Sequence, residues 1–188
     1  GLFATLIIGT MIQQIGLLIG GSTGNVIYLL GKAAAALTSA GIGVGVAVKY
    51  GESPLVTVSA AVAAMVGGYA GKITGGTFFV DGNAVLAGPG EPLGAFIAAF
   101  AGITCGHLVS GKTKVDIIVT PVITIGAGSV VGLLVGPPIS QMMTGLGSII
   151  NWATEQRPFI MGIVVSVVMG MVLTLPIIFS SLGIILNL

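Results

Sequence analysis

Six basic and five acidic residues carry all the formal charge in a chain of 188 residues. That scarcity decides the fold class. Soluble domains give about a quarter of their residues to charged side chains, and here the share is 6%. So few charges cannot solvate the surface of a globule, whereas lipid tolerates an apolar one. Mean hydropathy is +1.16, and 55% of residues are hydrophobic. A spanning helix takes roughly 20 apolar residues, which leaves room for about six spans with short connections. The sequence therefore predicts an all-α integral membrane protein, a polytopic helical bundle. A net charge of +1 without a basic tract gives no electrostatic case for nucleic acid. The single cysteine, Cys105, excludes an intrachain disulfide and a multi-cysteine metal site, and no cofactor is implied.

The chain opens on Gly1 rather than Met and is already apolar through Ile12; it closes on Ile184-Ile185-Leu186-Asn187-Leu188. No basic segment precedes the first apolar run, so a signal peptide is not indicated. These ends read as those of a single transmembrane domain, 1–188, taken from a longer membrane protein.

Punctuation by Gly, Pro and charge divides the chain. Leu2–Gly20 reads as a span interrupted by Gln13-Gln14, followed by a turn over Gly21–Asn25. Val26–Leu30 and Ala33–Val48 flank Lys32, the second being a short span. Lys49–Ser53 is a polar turn, and Pro54–Gly71 a span with Pro at its first helical position. Pro92–Ser110 is a span, Gly111–Lys114 a charged turn, and Asp116–Gly136 a span containing Pro121. Pro137–Arg157 reads as an interfacial segment anchored by Trp152. Pro158–Leu175 is a span that Pro176 breaks or kinks. Lys49, Lys112 and Lys114 fall on one side of this topology and Lys32, Lys72 and Arg157 on the other, so positive charge leaves orientation open. Glycines four apart, such as Gly67/Gly71 and Gly132/Gly136, suit close helix packing in lipid.

Lys72–Glu91 stands apart: too apolar for a solvated loop, and too broken by Gly75-Gly76, Gly82 and Gly88-Pro89-Gly90 for a spanning helix. Irregular backbone at membrane depth persists only where protein or a water-filled cavity satisfies it. A re-entrant hairpin with broken helices meets that condition, and transporters place such elements at their binding sites; an ordinary external loop is the competing reading. Glu91 ends the segment, directly before Pro92 and a new helix. An intramembrane acid points to function, but an acid before a helix-opening Pro also suits the helix dipole and can cap it. Glu52-Ser53-Pro54 and Glu155-Gln156-Arg157-Pro158 repeat that arrangement. His107, the one histidine, is a second candidate. In a straight helix it would lie about 24 Å from Glu91 at 1.5 Å per residue.

The run Ala87-Gly88-Pro89-Gly90-Glu91-Pro92-Leu93-Gly94-Ala95-Phe96 resembles the Glu-Pro loop of membrane (IIC) components of the sugar phosphotransferase system. Leu108–Lys114, Val135–Ser140 and Ile150–Phe159 extend the similarity, toward the branch that includes the perfringolysin O regulator protein. The resemblance implies about ten spans in the whole protein, re-entrant hairpins and a homodimer in the bacterial cytoplasmic membrane. It implies binding and translocation of a carbohydrate by alternating access, with phosphoryl chemistry left to a IIB partner and none performed by this chain. It carries sugar-hydroxyl binding onto Glu91 only, and a histidine often shares that job in the family, with His107 a more distant candidate; the mechanism expected here adds Asn83 or Asp81, in the same hairpin, as holding hydroxyls beside Glu91. Pro89-Gly90 depart from the Ile-Thr or Ile-Asn usual in sugar-transporting members. A regulatory or sensory membrane protein that keeps the fold, or an ion- or proton-coupled carrier, are the alternatives.

Overall fold

The computed structural model describes residues 3–80, 83–84, 88–154, 162–167 and 170–171. The chain divides into two compact units, Gly1–Pro137 and Pro138–Leu188. The described secondary structure is helical apart from one two-residue ladder, as the composition predicts.

In the first unit a π-helical turn, Phe3–Ile7, leads into α1 (Ile8–Ile19), followed by α2 (Gly21–Ala36). Gly20 and Gly21 both have φ +65°, a region nearly closed to other residues, and they reverse the chain. The reversal folds α2 back along α1. A Cβ at Gly16 would lie 2.5 Å from the Tyr28 amide nitrogen, and one at Gly9 would lie 2.9 Å from that of Ala35. Gln13 is accommodated in this contact, its Nε2 donating to the carbonyl of Gly31 at 3.2 Å. The expected turn over Gly21–Asn25 is thus the first turn of α2, and that helix runs through Lys32 without a break. The break comes at Leu37, where α2 meets α3 (Thr38–Lys49) at a bend of 46°.

α4 (Pro54–Gly68) opens with Ser53 as its cap, the hydroxyl accepting from the Val56 amide, and with Pro54 in the first turn, where its missing N–H costs nothing. A short α5 (Ala70–Thr74) follows, then an antiparallel ladder of β1 (Phe79–Val80) with β2 (Asn83–Ala84). α6 (Pro92–Val109) again begins on Pro, and Gly111 turns the chain at φ +75° toward α7 (Asp116–Thr154). Helix continues through Pro137 and Pro138 to Thr154, where the sequence suggested a separate segment. Glu155 and Arg157 lie outside the described residues, as does most of Pro158–Leu175, of which 162–167 are helical.

The core is built from small side chains. Ala47, Val56, Ala60, Ala64, Ala95, Ala99 and Ile103 form its buried cluster. α4 and α6 meet at Gly67 and Gly94, where a Cβ on Gly67 would sit 2.5 Å from the Gly94 carbonyl oxygen. α7 joins them through Gly128, beside Ala63 and the Ala98 carbonyl, and through Gly132, beside Gly67. Many of the large apolar residues face outward instead: Leu18 is 86% exposed and Leu134 72%. Small residues inside and leucine outside is the arrangement of helices in lipid, where close backbone approach rather than water exclusion holds helices together. Among the described residues, Pro92–Val109 and Asp116–Ile149 are long and apolar enough to cross a membrane, and the bent α2–α3 pair makes a third if counted as one span. The breaks at Gly20 and Leu37 and the short α4 divide the apolar sequence of the first unit into shorter pieces, and most of the expected span Pro158–Leu175 lies outside the described residues.

Candidate functional site: the hairpin between α4 and α6

The segment from Tyr69 to Gly90 leaves α4 and returns to its end. The amide of Glu91 donates to the carbonyl of Gly68 at 2.7 Å, so the chain closes on itself immediately before α6. Near the start of this excursion, Lys72 places its Nζ 5.4 Å from the centre of the Tyr69 ring, within cation–π range. Phe78 packs against the same ring with centroids 5.7 Å apart.

The returning strand is held at successive residues. The Tyr69 hydroxyl lies within hydrogen-bonding reach of two carbonyl oxygens, those of Gly88 and of Ala36 in the last turn of α2. Ser39, in the first turn of α3, donates to the carbonyl of Pro89 at 3.0 Å. Tyr69 and Ser39 are both buried. Gly90 passes between these groups at φ +73°, and a Cβ there would lie 2.5 Å from Ser39 Oγ and 3.1 Å from the Gly68 carbonyl oxygen. Both the backbone angle and the space demand glycine. The departure at Pro89-Gly90 thus has a local cause: this loop is threaded through a gap that admits no side chain at position 90.

Glu91 precedes α6 with extended backbone (φ −92°, ψ 114°), and its carbonyl accepts the Ala95 amide at 3.0 Å, opening the helix. Its side chain makes no capping hydrogen bond. Carboxylate Oε2 is buried and has no partner among the described residues. Leaving such an acceptor unsatisfied costs about 1–3 kcal/mol, more if it is charged. Of the two readings of Glu91, capping lacks its hydrogen bond, while the carboxylate retains the capacity to accept one from a ligand.

The other candidates are distributed. Asn83 lies in β2, its backbone paired with Val80, and Asp81 lies outside the described residues. His107 occupies the last turn of α6, at the opposite end from Glu91, about 24 Å away along the helix. There its Nδ1 lies 2.8 Å from Glu52 Oε1, with the imidazole 71% exposed and the Glu52 side chain 7%. The Ser53 and Ser110 hydroxyls pair nearby at 3.3 Å. Glu91 and His107 are therefore not brought together, and the acid–Pro arrangement at Glu52 serves a pairing between turns. Ser39 and Tyr69 were not apparent from the sequence. Ser39 contacts a residue 50 positions away, and no local pattern marks either one. Among the described residues no cluster of metal-ligating side chains occurs.

Long apolar helices and an alanine- and glycine-lined interior define a helical membrane protein. The model for the family described as phosphotransferase system, EIIC, matches residues 1–188, the whole chain, and the protein belongs to that family. It is accordingly a membrane transport component of a sugar phosphotransferase system. No curated protein and no solved structure matches the chain.

Proposed function

We propose that the chain binds a carbohydrate at the hairpin and carries it across the membrane by alternating access, with Glu91 accepting hydrogen bonds from sugar hydroxyls. The observation that carries this reading is the buried Oε2 of Glu91, free of any capping bond and without a protein donor. Hydroxyls are suitable donors, since a bond to an ionised carboxylate is shorter and stronger than one between neutral groups. Asn83 and Asp81, in the same hairpin, share the hydroxyls in this reading. The hairpin is re-entrant, so that its irregular backbone faces a hydrated cavity rather than lipid. The chain supplies binding and movement, and a IIB-type partner phosphorylates the sugar at the cytoplasmic face of a bacterial membrane, where the protein works as a multi-pass homodimer.

Counterflow in proteoliposomes tests this reading. Full-length protein should exchange tritiated glucose, galactose, lactose or mannitol across the bilayer, and Glu91→Gln should abolish the exchange. Saturable binding without flux would instead identify a sensor that retains the fold. Flux that needs a proton gradient and no partner would identify a coupled carrier.

A further inference from the structure

Three helix joints converge on the loop that carries Glu91. Ala36 and Ser39 flank the 46° bend between α2 and α3. Gly68 and Tyr69 form the junction of α4 with α5. Gly88–Glu91 enters α6. Three contacts fasten the loop to the two joints: Tyr69 hydroxyl to Gly88 carbonyl, Ser39 hydroxyl to Pro89 carbonyl, and Glu91 amide to Gly68 carbonyl. The Tyr69 hydroxyl has one proton and two acceptors in reach, the carbonyls of Gly88 and Ala36, which share it or take it in turn, so the hydroxyl sits between the loop and the end of α2. None of these contacts involves the Glu91 carboxylate, and all of them fix the backbone that presents it.

We propose that Ser39 and Tyr69 are positioning residues for Glu91. They lock the Glu-Pro loop onto the α2–α3 joint, so that the bend at Leu37 and the Glu91 carboxylate move as one body when the site changes its exposure. The inference rests on the reading of Glu91 as the sugar-binding acid. It adds that the acid's orientation is set by a helix break distant in sequence, and that the hydroxyls of Ser39 and Tyr69 act through Glu91 rather than on the sugar.

The test combines hydrogen exchange with a mutant cycle in full-length protein reconstituted in nanodiscs. Ser39→Ala and Tyr69→Phe keep the side-chain bulk and remove one hydroxyl each. Exchange of the Glu91 amide should quicken by about tenfold or more in either variant, while the α4–α6 core stays protected. Binding of whichever tritiated sugar of the panel the wild type takes up should weaken by about three- to tenfold per variant, the loss of one hydrogen bond. In a Glu91→Gln background the same substitutions should change the residual binding by less than about twofold, because contributions routed through one group do not add. A purely structural role would lower binding equally in both backgrounds. Unchanged exchange at Glu91 overturns the proposal whatever the sugar does, as does an undiminished effect of Tyr69→Phe in the Gln background. If Glu91→Gln binds sugar like the wild type, the functional reading falls and the positioning role falls with it. If no sugar of the panel binds, the functional reading falls, and exchange alone decides whether the two hydroxyls anchor the loop.

Discussion

The amide of Glu91 and the carbonyl of Gly68, 23 residues apart in sequence, share a hydrogen bond of 2.7 Å. That bond brings the end of one core helix to the start of another and leaves the intervening segment as a closed excursion. It sets the Glu91 carboxylate at the root of the excursion, beside the tightest glycine contacts in the α4–α6 packing, where backbone rather than side chain determines position.

Substitution at Gly90 should expose how tightly that root is fitted. Gly90→Ala places a non-glycine residue at φ +73°, costing about 1–2 kcal/mol, and sets a Cβ 2.5 Å from Ser39 Oγ, for about 1–3 kcal/mol more. The thermal midpoint in mild detergent should fall clearly. Adding Ser39→Ala should recover part of the loss, since it removes the clash but not the backbone strain. A Gly90→Ala protein as stable as the wild type would show that the loop does not thread this gap.

Packing of the bundle core makes an independent prediction. Gly67 faces Gly94 and Ala98 on α6 and Gly132 on α7, with no room for a side chain. Gly67→Leu should separate these helices and yield protein that aggregates on extraction. Leu134→Ala, at a position 72% exposed, should extract and migrate as a single species on size exclusion. Tolerance of leucine at Gly67 would contradict the α4–α6–α7 arrangement.

His107 offers a contrast with Glu91. Its partner is Glu52, and it lies at the other end of α6. His107→Ala should leave sugar affinity within about twofold of the wild type, because distant sites with no shared partner act independently. Stability should fall by about 1–3 kcal/mol, because the Glu52 side chain, 7% exposed, is left without its hydrogen-bond partner. A tenfold loss of affinity on titrating the variant with sugar would place His107 in the site after all.

Much of this arrangement is legible in the residues. Pro54 and Pro92 announce the starts of α4 and α6, because proline suits a first helical turn and little else in a helix. The lack of charge fixes the solvent as lipid. The run from Lys72 to Glu91 stands out as neither loop nor helix because glycine and proline interrupt an apolar stretch. Other features depend on contacts that no local pattern encodes. Gly21-Ser22-Thr23-Gly24-Asn25 has the composition of a turn, yet it forms helix because Gly24 must lie flat against Gly16. The bend at Leu37 carries no Pro and no Gly, and Ser39 meets Pro89 only once three helices have packed. Glu91 could be singled out from its place before Pro92, but not separated from a cap, since that depends on where the carboxylate points.

The most direct measurement is equilibrium binding of tritiated glucose, galactose, lactose and mannitol to detergent-purified full-length protein, wild type beside Glu91→Gln. Saturable binding of at least one sugar is expected, weakened by at least about tenfold in the variant through loss of hydrogen bonds to a charged acceptor. Binding that persists unchanged in Glu91→Gln, or binding of none of these sugars by the wild type, would contradict a carbohydrate site at the root of the hairpin.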